Sequence, residues 1–304
     1  MERDTQTSSK YFNATLPISQ DGALHLDAKL ARAFGEELSG SYCFAEPFPH
    51  IVIDNFLPLA LIEEILKLFP TEKLADDKFF ENDYSGLHKR QVLPESCGER
   101  IRSIFHFFNS SPIIQFLEGL TTIDALIGDP YFNGAGFHEI FRGGKLLVHA
   151  DFRINEQLHL NRRINMLIYL NKDWAPEYGG HLELWDRKMK SKIDSVAPLF
   201  NRCVIFNTDA DSYHGHPDPL NTPAEITRKS IALYYYTASK KVYEDTPAHL
   251  TMYAARPNDS SNIKRQTAKL RLQSYLKDWL PPITFRALVK LKKLLKVKPT
   301  QQQL

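Results

Sequence analysis

After Pro58 the apolar residues Leu61, Ile62, Ile65, Leu66 and Phe69 recur at helical spacing, with Glu63, Glu64 and Lys67 between them. That pattern predicts an amphipathic helix, which Pro70 ends. Just before it, Ile51-Val52-Ile53 is a β-branched run that reads as a buried strand stopping at Asp54-Asn55. Residues 1 to about 45 are polar and mixed, with a short helix expected around Ala28 to Leu38. A second helical stretch covers about Glu99 to Asn109. A third opens where Ser111 can cap and Pro112 suits the first turn. Residues 71–98 read as polar and irregular.

The pattern changes near Pro130. From Tyr131 to Thr237 the apolar runs are short, β-branched or aromatic, and are punctuated by Gly143-Gly144, Gly179-Gly180 and a Pro/Asp-rich stretch at 217–223. Several short strands in a sandwich or barrel are predicted. The chain divides accordingly into a mainly helical support region (1–128), a β domain (129–240), and a linker with a basic tail (241–304). The linker is 241–263 and the helical tail 264–298. No internal repeat is visible.

Composition adds limits. With 43% hydrophobic residues the 304-residue chain can fill a sizeable core. Cys43, Cys97 and Cys203 are odd in number and widely spaced, which groups neither a zinc site nor a disulfide framework and fits a reducing compartment. The N-terminus has no apolar core of a signal peptide, and no run approaches the ~18 apolar residues of a membrane span. A cytoplasmic protein is expected. The net charge of +2 names no global partner, and nucleic acid is not expected. It hides an asymmetry, however. Between Lys264 and Lys298 eleven residues are basic and Asp278 alone is acidic, giving that segment +10 and leaving −8 for the rest. Leucines at helical spacing among those lysines read equally as a contact with an anionic partner, either a membrane surface at the inner face or an acidic substrate, or as a helix packed on the β domain with its lysines solvated.

The chemistry begins at His149-Ala150-Asp151. Residues two apart on a strand share a face, so an imidazole and a carboxylate converge there. That pair suits divalent iron and leaves its sphere incomplete. Downstream, the apolar strand Cys203 to Phe206 leads through Asn207-Thr208-Asp209 to His214-Gly215-His216. A histidine from that segment would complete a two-His, one-carboxylate triad with three open positions. Arg228 and Ser230 share a face at the start of a further strand, Ile231 to Thr237. A guanidinium there can grip a carboxylate with two parallel hydrogen bonds.

The order of these elements, with Ile168-Tyr169-Leu170-Asn171-Lys172-Asp173-Trp174 and Gly179-Gly180 between them, resembles the 2-oxoglutarate/Fe(II) dioxygenase superfamily. Its prolyl 4-hydroxylase-like branch is the nearest in pattern, and Pro47 to Pro58 is similar to the entry segment of bacterial members. The resemblance covers roughly residues 45–240. It implies an α+β protein with a mainly β catalytic core: a double-stranded β-helix (jelly roll) with N-terminal helices packed on it and a basic C-terminal helical tail.

By position, the resemblance implies His149, Asp151 and His214 as metal ligands. His216 competes with His214, but the family's spacing favours His214 and leaves His216 as a rim histidine. Arg228 and Tyr169 then match the pair that holds the far carboxylate of 2-oxoglutarate. From its place on the strand, Asn165 reads either as reaching the co-substrate or as satisfying a neighbouring backbone group. Fe(II), 2-oxoglutarate, O2 and ascorbate are the implied cofactors and co-substrates. The expected reaction is hydroxylation of an unactivated C–H, with release of succinate and CO2. A carboxylate at 151, where halogenases carry glycine or alanine, favours hydroxylation.

Two other classes are weaker. A non-catalytic cupin-like module has no reason to keep all four groups, and a zinc hydrolase would need a general-base glutamate that the motif lacks. His159 and His181 read as surface or sheet-edge residues; His138-Glu139 reads as either substrate-facing or structural. The substrate suggested by resemblance is a protein prolyl residue, with an envelope glycan or lipid as the alternative.

Overall fold

The computed structural model describes residues 10–82, 86–155, 157–238 and 251–279. Strand β1 (Phe12–Asn13) precedes helix α1 (Ala28–Cys43), whose N-cap Asp27 accepts from Lys29 N and Leu30 N. Strand β2 (His50–Asp54) and helix α2 (Leu59–Lys67) follow as predicted. The stretch expected to be irregular instead holds a hairpin, β3 (Lys78–Asn82) and β4 (Gly86–Val92). Its β3 is exposed on both faces, so no hydrophobic alternation betrays it; pairing of β4 with a later strand supplies the order.

Helices α3 (Glu99–Phe108) and α4 (Ser111–Thr121) come next. The cap of α4 falls at Ser110, one residue before the expected serine, and its side chain makes no capping bond. The remaining strands are β5 (Ile127–Gly128), β6 (Gly136–Ala150), β7 (Ile154–Asn155), β8 (Leu160–Tyr169), β9 (Leu182–Trp185), β10 (Lys192–Val196), β11 (Cys203–Asn207), β12 (His214–His216), β13 (Arg228–Ala238) and β14 (Met252–Tyr253). Helix α5 (Ser261–Trp279) ends the described chain.

The strands run in the order β1-β2-β11-β8-β13-β6-β12-β9-β10. The long β6 joins two halves. Its first part pairs with β13 and β4, and its last part with β12 and β14. The sheet curls on itself there, so Phe206 of β11 meets His214 of β12 with ring centroids 4.6 Å apart. This is the jelly-roll double-stranded β-helix with N-terminal helices. Strands from the first 128 residues share its hydrogen bonding, since β2 pairs with β11 and β4 with β6.

Two cores result. On the outer face of β8, Ile164, Met166 and Ile168 join Phe105, Phe108, Phe116 and Leu120 of the helices. Inside the curl, Tyr169, Val204 and Phe206 meet Leu182, Leu184 and Val196 of the opposite strands. The alternation along β8 therefore separates a helix-facing side from a site-facing side.

Part of the expected linker is β14, which pairs with β6 at Ala150 and His149. Residues 241–250 and 280–304, which include most of the basic leucine-rich segment, lie outside the described residues. The described part of α5 rests on the domain through buried Thr267 and through Arg271, whose Nη2 donates to the Tyr213 hydroxyl at 3.4 Å. Among the described residues no helix is long and apolar enough to cross a membrane.

Candidate metal centre

His149 and Asp151 stand at the end of β6, and His214 opens β12, directly opposite His149 in the antiparallel register. Gly215 permits this. A Cβ there would come within 2.8 Å of the Leu147 carbonyl oxygen on β6, so only glycine lets β12 lie so close.

The ligand atoms of His149, Asp151 and His214 all lie within 4.8 Å of one another. His149 Nδ1 is 2.8 Å from the Leu147 carbonyl and His214 Nδ1 is 2.9 Å from that of Ser212. Each ring therefore donates from Nδ1 and keeps its Nε2 lone pair free. Those Nε2 atoms turn toward the Asp151 carboxylate, at 3.7 and 3.5 Å.

Electrostatics prepare the same state. Burial pushes His149 down to about 4, and the neighbouring His214 adds to this. Burial lowers His214 as well. Both are neutral ligands at neutral pH. Burial would raise Asp151, but the Arg162 charge, the two imidazoles and a hydrogen bond from Asn165 outweigh it and hold the carboxyl well below its ordinary range. Arg162 Nη2 lies 3.1 Å from Asp151 Oδ2. Two neutral imidazoles and one ionised carboxylate, all anchored from behind, fit a divalent iron.

The triad opens on a cavity of about 200 Å³ that also holds Arg228, Ser230, Asn165 and His216. Arg228 is 5% exposed. Its Nε donates to the Gly180 carbonyl at 2.8 Å and its Nη2 to the Tyr169 hydroxyl at 3.3 Å. Gly180 has φ +67°, and a Cβ there would strike Leu220 at 2.4 Å and crowd the Arg228 stem at 3.1 Å. Gly180 thus makes room for the Arg228 stem, while Gly179, at φ +70° with open space around it, serves the turn. Among the described residues no carboxylate pairs with Arg228, and burial lowers its pKa.

The expected site residues thus converge, with His216 placed differently from expectation. It is not a rim residue but is 4% exposed in the cavity wall, and its Nδ1 has no hydrogen-bond partner. His138 and Glu139 divide. His138 lines the cavity, whereas Glu139 turns away to Arg90 and Thr227. His159 and His181 do not line the cavity.

Sequence reading missed Arg162, Lys89 and Tyr253 in the wall. Strict alternation puts Arg162 on the opposite face from Asn165. A bulge, where Tyr235 pairs with Ile164 but Tyr236 with Arg162, brings it round. Lys89 lay in the stretch read as irregular, where the mixed polar and apolar residues of β4 give no clear alternation. Tyr253 sits on the short β14, with its ring centroid 5.6 Å from that of His149.

A model of the 2OG-Fe(II) oxygenase superfamily matches residues 135–236. The chain is 26% identical over 198 residues to prolyl 3-hydroxylase OGFOD1 of Mus musculus, covering 64% of this chain and 34% of that protein. It thus spans about a third of that relative's length. Among solved structures, a Trichoplax adhaerens prolyl hydroxylase bound to a hypoxia-inducible-factor peptide aligns at 17% identity and TM-score 0.47, over 68% of this chain and 91% of that one. A Pseudomonas putida prolyl-4-hydroxylase aligns at 17% identity and TM-score 0.42, over 67% and 99%. The matched segment runs from the start of β6, which carries His149, into β13, which Arg228 opens, so the metal triad lies wholly inside it. Residues 135–236, about a third of the chain, thus match the 2OG-Fe(II) oxygenase superfamily and carry its His149, Asp151 and His214 triad.

Proposed function

We propose that this oxygenase hydroxylates a prolyl residue of a protein, with Arg228 and Tyr169 holding the far carboxylate of 2-oxoglutarate. The observation that carries the co-substrate assignment is the buried, carboxylate-free guanidinium of Arg228 beside the Tyr169 hydroxyl, in one cavity with the triad. A buried cation without a counter-ion is costly, and a bidentate carboxylate restores the balance. Iron with 2-oxoglutarate and O2 supplies the oxidation, leaving succinate and CO2 with the hydroxylated product.

The chain's own residues orient and shield. His149, Asp151 and His214 would hold the iron, Arg162 and Asn165 fix Asp151, and Leu167, Leu182 and Phe152 in the cavity wall exclude water. The prolyl reading draws support from the relatives, a mouse prolyl 3-hydroxylase among them. The test supplies Fe(II), 2-oxoglutarate, O2 and ascorbate and offers prolyl peptides beside envelope-type sugars and lipids. A peptide that stimulates succinate release and gains one oxygen atom on proline supports the reading. Stimulation by sugars or lipids alone replaces it.

The basic segment 264–298 supports a further element of the same reading, attachment of the enzyme to an anionic membrane surface at the cytoplasmic face.

A further inference from the structure

The register of the curled sheet sets Lys89 of β4 and Arg228 of β13 on either side of Ile140 of β6, in one row across three strands. Directly paired residues share a face, and all three line the cavity that holds the triad. Arg228 has a task in the reading above. Lys89 has none. Among the described residues no carboxylate lies within ion-pair distance of its ammonium, whose neighbour is the face of the Phe80 ring, with its centroid 5.3 Å away. Burial pushes that ammonium down to about 8, whereas a resident anion would hold it up.

The charges around the cavity point the same way. Its lining cations are Lys89, Arg162 and Arg228, and its lining acid is Asp151. Arg162 is matched by Asp151 at 3.1 Å. A metal dication and the 2-oxoglutarate dianion cancel each other. The loaded cavity therefore keeps two positive charges, Arg228 and Lys89; the proposed far carboxylate of 2-oxoglutarate lies against Arg228, and Lys89 has no anion beside it among the described residues. A prolyl ring between neutral amides would cover that half-buried charge and leave it unpaired, which is costly.

We propose that Lys89 recognises the substrate by a carboxylate that the substrate carries close to the oxidised C–H. This rests on the 2-oxoglutarate hydroxylase reading and narrows its substrate class. The adjacent Gln91 amide is committed to the Ala135 carbonyl at 2.8 Å, so Lys89 offers a single charge. A single ammonium suits a carboxylate better than a phosphate dianion. The carboxylate has two possible sources, the main chain of a free amino acid or an acidic side chain beside the reacting residue of a peptide.

The test is calorimetric binding to the full-length enzyme loaded with Fe(II) and 2-oxoglutarate without oxygen. Two matched pairs serve as probes: L-proline against L-prolinamide, and a prolyl peptide with aspartate beside the proline against its asparagine twin. In one pair the carboxylate form should bind at least about tenfold more tightly, and the pair that discriminates identifies the source. Lys89→Gln should bring the ratio to about one, and Lys89→Arg should keep it. Metal-dependent succinate formation by the wild-type enzyme checks the hydroxylase reading separately, and its absence would end that reading. Equal binding of both members of each pair, no binding by any, or a ratio that survives Lys89→Gln overturns the proposal. The wild-type ratio decides even if Lys89→Gln does not fold.

Discussion

Asn165 Nδ2 donates to Asp151 Oδ2 at 2.7 Å, while the oxygen of the same amide accepts from Arg162 Nε and Nη2 at 3.0 and 2.7 Å. Asn165 is thus the hinge between a ligand and the cation that keeps this ligand ionised. The two neighbours of Asp151 should fail differently. Asn165→Ala removes orientation and should weaken Fe(II) affinity about 10–100-fold, measured by anaerobic metal titration. Arg162→Met leaves a buried carboxylate uncompensated and should destabilise the metal-free protein by roughly 3–5 kcal/mol. Added metal should recover part of that loss in a thermal melt. Equal losses with and without metal would assign Arg162 to the scaffold instead.

The ligand set itself makes a second prediction. His149→Ala, Asp151→Ala and His214→Ala should each lose the single Fe(II) per chain and all turnover. His216→Ala should keep the metal, since it lies outside the cluster of ligand atoms. Atomic absorption on the four purified variants separates the cases. Iron lost from His216→Ala and kept by His214→Ala would invert the assignment.

These residues show how far the sequence was legible. His149, Asp151, Tyr169 and Arg228 could be found because each obeys the two-residue period of an unbroken strand. Arg162 could not, because the bulge beside it shifts its face by one residue. Lys89 was lost with its hairpin, since β3 is exposed on both faces and β4 mixes polar with apolar residues and takes its order from β6, about fifty residues downstream. β14 is two residues long and depends on β6 in the same way. The helices were clear where one face meets the sheet, as in α2.

The co-substrate anchor is tested through dependence on 2-oxoglutarate. Losing a charge-assisted hydrogen bond to a buried carboxylate costs about 2 kcal/mol, roughly 30-fold. Arg228→Ala should raise the KM for 2-oxoglutarate by about that factor, and Tyr169→Phe by less. Lys229 is not a substitute, because its ammonium is engaged with Thr227 and lies 3.6 Å from Glu139. An unchanged KM in Arg228→Ala would move the anchor to another cation of the cavity.

A pH dependence follows for the metal-free protein. Burial lowers His149 to about 4, lowers His214, and pushes His138 and His216 well below the ordinary range. The same histidines titrate near ~6.5 when unfolded. The unfolded chain therefore binds more protons as pH falls below that value, and stability falls with it. The Tm should be highest above pH 7 and should decline steadily toward pH 4.5. A flat Tm from pH 7 to 5 would show that these imidazoles protonate in place.

The basic tail is best cut where its described packing ends. Thr267 and Arg271 tie α5 to the domain, so deletion from residue 264 would remove structural contacts along with charge. Deleting 281–304 removes five lysines and one arginine while sparing those contacts. Each basic residue near an anionic bilayer contributes about 1 kcal/mol, and salt screens the attraction. Full-length protein should therefore co-sediment with phosphatidylserine vesicles at low salt and release at high salt. The truncated protein should stay in the supernatant with unchanged Tm and unchanged 2-oxoglutarate turnover. A lowered Tm would show instead that the leucines of this segment serve the fold. No sedimentation by the full-length chain would remove the membrane surface from its partners.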